Sequence, residues 1–174
     1  MYEFLKQKKE NRAALIQDVA SQMRLHPSIV EKDFWVCLVL DFLFHKCSYA
    51  SQMRFKGGTS LSKAYSLIER FSEDIDLVLD WRALGYSKTE PWDDQGSKNK
   101  QDRFNKKIDE RTDKFIAGNF LTEIKTGLSE AMGDIADVRA IIGRQTLEFH
   151  YPQLFHVQNI LPCIRLEIGP LAEW

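Results

Sequence analysis

Asp74 and Asp76 stand one residue apart in an otherwise apolar run, Asp74-Ile75-Asp76-Leu77-Val78-Leu79. On a strand, the period of two puts both acids on one face and Ile75, Leu77 and Leu79 on the other. Paired carboxylates repel each other and add nothing to a core. A divalent cation between them removes the repulsion, and Mg²⁺ is the usual guest where phosphates also bind. Upstream lies Gly57-Gly58-Thr59-Ser60. A glycine turn leading into a helix exposes backbone N–H groups and the positive end of the helix dipole, which together attract phosphate. A phosphate cradle and a metal-binding acid pair that frame one short helix suit a nucleoside triphosphate and its metal.

The elements that must position these residues are short. Met53 to Lys56 reads as a strand that stops at Gly57-Gly58. Thr59-Ser60 is the expected N-cap of a helix whose buried face is Leu61, Ala64, Tyr65 and Ile68. A second strand is expected over Ile75 to Leu79. Much later, Pro162-Cys163-Ile164-Arg165-Leu166-Glu167-Ile168 repeats the alternation, with Ile164, Leu166 and Ile168 on one face and Cys163, Arg165 and Glu167 on the other.

Three segments in this order, Glu31-Lys32-Asp33-Phe34-Trp35, then F-K-G-G-T-S-L-S-K-A-Y from Phe55, then R-F-S-E-D-I-D-L from Arg70, resemble the AbiEii/MenT family of nucleotidyltransferase toxins, a branch of the polymerase-β-type superfamily. The resemblance is dense over Val30 to Leu79. It implies an α+β nucleotidyltransferase fold, a mixed β-sheet flanked by helices with further helices at the N-terminus. It implies a single core domain over residues 1–174, with the motif region at 28–80 and the family's helical C-terminal portion missing. The superfamily needs a third carboxylate on a later strand, and Glu167 is the candidate, one methylene longer than the Asp often found there. The metal ligands are then Asp74, Asp76 and Glu167, holding two Mg²⁺ (or Mn²⁺) ions. Gly57, Gly58, Thr59, Ser60, Lys63, Arg70 and Ser72 would bind the phosphates of the NTP, and Lys63 would also act with the carboxylates in catalysis. Lys56 reads equally as a site cation or a solvated strand-end lysine. The implied reaction moves an NMP from the NTP to an acceptor hydroxyl, with RNA, above all tRNA, as acceptor and a cognate antitoxin as partner. The rival reading is a non-catalytic nucleotide- or antitoxin-binding module that keeps the fold.

Composition excludes other classes. Apolar content of 44% and charged content of 28% are ordinary for a globular chain. A formal net charge of −1 excludes nucleic-acid binding through bulk charge, so any such contact is a local patch. No apolar run approaches the ~18 residues of a membrane span, so no membrane partner is expected. Cys37, Cys47 and Cys163 are scattered and read as reduced thiols of a cytoplasmic protein. With no C-x-x-C and no H-x-x-x-H, no zinc site is expected.

The remaining pattern gives helices. Tyr2 to Met23 reads as one amphipathic helix with Leu5, Leu15, Ile16, Val19 and Met23 to one side. Ile29 to His45 is so apolar that burial on most sides is expected, with Ser28 as N-cap and Glu31 completing a capping box. Arg82 to Asn99 reads as a surface loop, either lid or insertion. Lys98 to Met132 is helical, with Gly118 as a bend or split and a basic first half that is read mainly as solvated surface. Val138 to Ile142 and Leu147 to Tyr151 complete the strands.

Overall fold

A computed structural model of the chain describes residues 1–65, 67, 74–87, 96–132, 137–141, 143–158 and 160–170. Arg70 and Ser72, two of the expected phosphate contacts, lie outside the described residues, as do Ile68 and the centre of the expected surface loop.

Among the described residues, five strands form one mixed sheet in the order β1-β2-β5-β4-β3. They are β1 (Met53–Lys56), β2 (Asp74–Leu79), β3 (Asp137–Ile141), β4 (Thr146–His150) and β5 (Cys163–Gly169). β2 and β5 run parallel, and the other pairings are antiparallel. The alternation read from the sequence sets the two faces. Ile75, Leu77, Leu79, Leu147, Phe149, Ile164, Leu166 and Ile168 are buried in the core. The opposite face carries the charged residues of β2, β4 and β5.

Helix α3 (Pro27–His45) covers the apolar face, burying Trp35, Val36, Leu38, Val39, Phe42 and Leu43. Trp35 stacks on Tyr151 with ring centroids 5.5 Å apart and meets Phe149 at 5.7 Å. The helix starts two residues before its expected start. Pro27 takes the first position, where its missing N–H costs nothing, and the His26 ring accepts from the Ser28 N–H at 3.3 Å. Ser28 is therefore inside the helix, and no capping box forms.

Glu31 does something else. It is 1% exposed, and its carboxylate accepts from the backbone N–H groups of Leu154, at 2.7 Å, and Phe155, at 3.0 Å. Burial pushes its carboxyl above the ordinary range, while these two donors pull it back. Next to it, buried Lys32 donates to the Leu161 carbonyl at 3.1 Å, and Asp33 pairs with Lys63. Three consecutive side chains thus tie α3 to the segment that leads into β5 and to the helix after β1.

The N-terminal helix is split into α1 (Tyr2–Leu5) and α2 (Lys9–Met23), because Lys8 is extended. Its expected apolar face is corrected too. Only Ile16 and Ala20 of α2 are buried, whereas Leu15, Val19 and Met23 are 47%, 41% and 60% exposed. A narrow i, i+4 row meets the rest of the protein, and the adjacent row faces outward.

After β2, Asp80 caps a short 3₁₀ turn at Trp81–Leu84 by accepting from the Arg82 N–H. The long helical stretch is α5 (Lys98–Phe115) and α6 (Leu121–Met132), joined through a π-turn at Ile116–Phe120 that contains Gly118. Ile108, Ile116, Phe120, Ile124 and Leu128 are its buried side. None of the described helices is long and apolar enough to cross a membrane.

The Glu31 clamp generates a prediction. Glu31→Ala leaves two amides without their acceptor and should lower unfolding stability by about 2–4 kcal/mol, while Glu31→Gln, which keeps an acceptor oxygen, should lose less. Urea denaturation of both variants measures this. An Ala variant as stable as the parent would show that the clamp contributes nothing.

Candidate active site

The parallel β2–β5 register decides the geometry. Asp76 is opposite Glu167, and Asp74 is opposite Arg165. Directly opposed residues on neighbouring strands share a face, with the strands ~4.8 Å apart. Lys56 lies opposite Asp76 on the other side, across β1. One row therefore runs Lys56, Asp76, Glu167, Thr146, and the next row runs Asp74, Arg165, Glu148.

A recess of about 210 Å³ opens on the first row, lined by Lys56, Asp76, Arg144, Gln145 and Glu167 with the backbone of Ile168 and Gly169. An adjoining recess of about 350 Å³ is lined by Arg144, Thr146, Glu148, Arg165 and Glu167 with Ile141. Burial raises the Asp76 carboxyl above the ordinary aspartate range. The Lys56 ammonium opposes that, and the Asp74 charge adds to it. Asp76 and Glu167 are hard oxygen donors on adjacent strands, and this donor set fits Mg²⁺ or Mn²⁺. Asp74 is engaged differently. Its carboxylate accepts from Arg165 Nε at 3.0 Å and from a second guanidinium nitrogen at 3.4 Å. Of the three expected ligands, two stand side by side with no cation bonded to either among the described contacts, and the third is held by an arginine.

Gly57 explains how β1 enters the next helix. Its φ of 74° is the left-handed conformation that glycine adopts at little cost. It lets the chain turn from β1 straight into α4 (Gly57–Lys63), two residues before the expected Thr59–Ser60 cap. A Cβ at Gly57 would lie 2.0 Å from Asp76 Oδ2. Only a residue without a side chain leaves room for that carboxylate.

The rest of the expected cradle is divided. Gly58 is half-buried and is not among the residues that line the recess. Thr59 and Ser60 are buried, and the Thr59 hydroxyl donates to the Asp74 carbonyl, so it fastens α4 to β2. The expected buried face of α4 is not observed, since Leu61 is 42% and Tyr65 66% exposed. The described helix is too short to carry that periodicity, and it packs on the sheet through Thr59 and Ser60. Lys63 pairs with Asp33 and lines a recess with Cys37, Leu40 and Phe55 that contains none of the three acids. The lysine beside the carboxylates is Lys56.

Arg144, Gln145 and Arg165 are the site residues that sequence reasoning did not single out. Gln145 has φ 50°, unusual for a residue with a side chain. Its N–H donates to Asp113 at 3.1 Å, its side chain donates to Asp109 at 2.6 Å, and its carbonyl accepts from the Ile168 N–H at 2.9 Å. These bonds fix the β3–β4 turn against α5 and β5, and the neighbouring Arg144 lines both recesses. The signal available in the sequence was weak, a Gly143-Arg144-Gln145 turn between two strand runs.

A mixed sheet with an acidic face and flanking helices is a nucleotidyltransferase-like α+β arrangement. The family model described as nucleotidyl transferase AbiEii toxin, Type IV TA system, matches residues 41–174. The chain belongs to this family, the nucleotidyltransferase toxins of type IV toxin–antitoxin systems. Searches of curated proteins and of solved structures gave no match.

Two predictions follow from this geometry. Gly57→Ala, which has no space for its methyl, should displace the Asp76 carboxylate, lower stability by about 1–3 kcal/mol and depress nucleotidyl transfer at least tenfold. Thermal unfolding and a transfer assay measure the two effects, and a fully active Ala variant would refute the close approach.

The acids should separate in stability. The folded protein disfavours ionised Asp76, so at neutral pH Asp76→Asn removes that cost and should stabilise the metal-free fold by up to ~1 kcal/mol. Asp74→Asn weakens the pair with Arg165 and should destabilise by a similar amount. Unfolding midpoints of the two variants in chelator check the opposite signs.

Proposed function

We propose that this chain transfers a nucleoside monophosphate from an NTP to an acceptor hydroxyl on RNA, with tRNA the favoured acceptor, and that it does so as the toxin of its pair. The observation that supports this most is Asp76 beside Glu167 across the parallel pair, facing a recess rimmed by Lys56 and Arg144.

In this reading Asp76 and Glu167, joined by Asp74, would hold two divalent cations. Such ions stabilise the charge on the attacking and leaving oxygens of an in-line displacement. The chain's own groups do the rest. Lys56, Arg144 and the backbone of Gly57 and Gly58 bind the triphosphate. Glu167, the exposed acid of the row, accepts the proton of the acceptor hydroxyl. The hydroxyl oxygen bonds to the α-phosphorus as the bond to the bridging oxygen of the β-phosphate breaks, and pyrophosphate leaves. Lys63 acts through Asp33 to set α4 against α3. Arg165 neutralises Asp74 before substrate arrives, and a triphosphate would compete for its guanidinium and free the Asp74 carboxylate.

The Asp74–Arg165 pair also supports a second reading, a binding module in which Asp74 never becomes a ligand. Incubation with each labelled NTP, Mg²⁺ and bulk tRNA separates the two. Transfer of label to RNA, lost in Glu167→Gln and Asp76→Asn, is the expected result. Nucleotide binding without transfer, under any NTP and with either Mg²⁺ or Mn²⁺, would overturn the catalytic reading in favour of the module.

A further inference from the structure

The polar face of the sheet continues past the acidic rows. His150 of β4 is opposite Cys163 of β5, and Glu148 lies two residues before His150 on the same face. The Cys163 sulfur, a ring nitrogen of His150 and a carboxylate oxygen of Glu148 all lie within 4.8 Å of one another. His150 Nε2 and Glu148 Oε2 are 3.0 Å apart. In a tetrahedral zinc site, bond lengths of about 2.0–2.3 Å place neighbouring ligand atoms ~3.3–3.6 Å from each other. The three groups reach that spacing by small side-chain rotations.

We propose that Glu148, His150 and Cys163 form a second metal site, for a borderline-soft divalent cation of the zinc type. The donor set selects the ion. Thiolate and imidazole favour Zn²⁺ over Mg²⁺, whereas Asp76 and Glu167 offer only hard oxygens. Charge also fits, because a dication with one thiolate, one carboxylate and one neutral imidazole is locally neutral. Without a metal, Cys163 is a buried thiol whose ionisation is opposed by burial and by Glu148. A bound dication reverses that balance, as coordinating thiols are deprotonated outright.

Access and purpose follow from position. Glu148 lines the recess of about 350 Å³ that adjoins the acidic row, so a fourth ligand, water or a partner's side chain, has an approach from there. The site spans the β4–β5 pair where the chain from 151 to 162 returns into the sheet. A metal there clips those strands together. The ligands come from two antiparallel strands, which is why no C-x-x-C or H-x-x-x-H spacing announces them.

The test uses the full chain, stripped of metal and titrated with Co²⁺ and then Zn²⁺. One equivalent of Co²⁺ should bind with a thiolate-to-metal charge-transfer band, Zn²⁺ should bleach it, and excess Mg²⁺ should not. The band should persist in Cys37→Ser and Cys47→Ala and vanish in Cys163→Ser. Since Cys163 is buried and its variant is at risk of misfolding, half-exposed His150→Gln is the second arm. It should keep the parent's circular dichroism and lose Zn²⁺ affinity about a hundredfold or more. Absence of the thiolate band, its survival in Cys163→Ser, or unchanged Zn²⁺ affinity in His150→Gln would each overturn the proposal. The readouts concern a sulfur ligand, so they stand whether or not the chain transfers nucleotides.

Discussion

Two carboxylates on neighbouring parallel strands, Asp76 and Glu167, are the constraint around which the rest is arranged. Burial and the nearby Asp74 charge both disfavour the Asp76 anion, and the fold surrounds it with compensating features. Gly57 withdraws its side chain so that Asp76 has space. Lys56 and Arg144 bring positive charge to the same recess. Asp74, the third acid, is held by Arg165. The apolar backs of β2 and β5 supply the cohesion, because every alternate residue behind the acids is buried. A charge-bearing face is tolerated because the other face is packed against α3.

Much of this was legible in the sequence. The period of two assigned both faces of β2 and β5 from residue types alone, and the boundaries of β1 and β5 agree with expectation to within a residue. The motif string gave the family. Local chemistry was read less well where tertiary contacts took over. Ser28 and Glu31 have the spacing of a capping box, yet Pro27 starts the helix and Glu31 is drawn away to amides at 154 and 155. Thr59 has the look of a cap, yet its hydroxyl spans to Asp74. In each case the side chain had a local option and a distant one, and the distant one is in the core. Register is the other limit. Nothing along the chain says that Arg165 faces Asp74, or that His150 faces Cys163, because pairing is set across more than ten residues of intervening segment.

The Glu31-Lys32-Asp33 segment shows what a motif is for when it is not chemistry. Its three side chains leave α3 in different directions, to the backbone at 154 and 155, to the carbonyl of Leu161 and to Lys63. Both β5, which carries Glu167, and α4, which follows Gly57, are thereby referenced to one rigid helix. Buried polar groups of this kind fix relative placement, since an alternative docking leaves them unsatisfied.

The β2–β5 pairing has a consequence for biosynthesis. Asp76 and Glu167 are separated by about half the chain, and a parallel pair of that span closes only after its later strand exists. A nascent toxin emerging residue by residue displays the glycine turn and the first acids early. It lacks the completed acidic row until β5 has been made and docked between β2 and β4. The topology therefore acts as a timer, because no assembled acidic row exists before β5 has been made and docked.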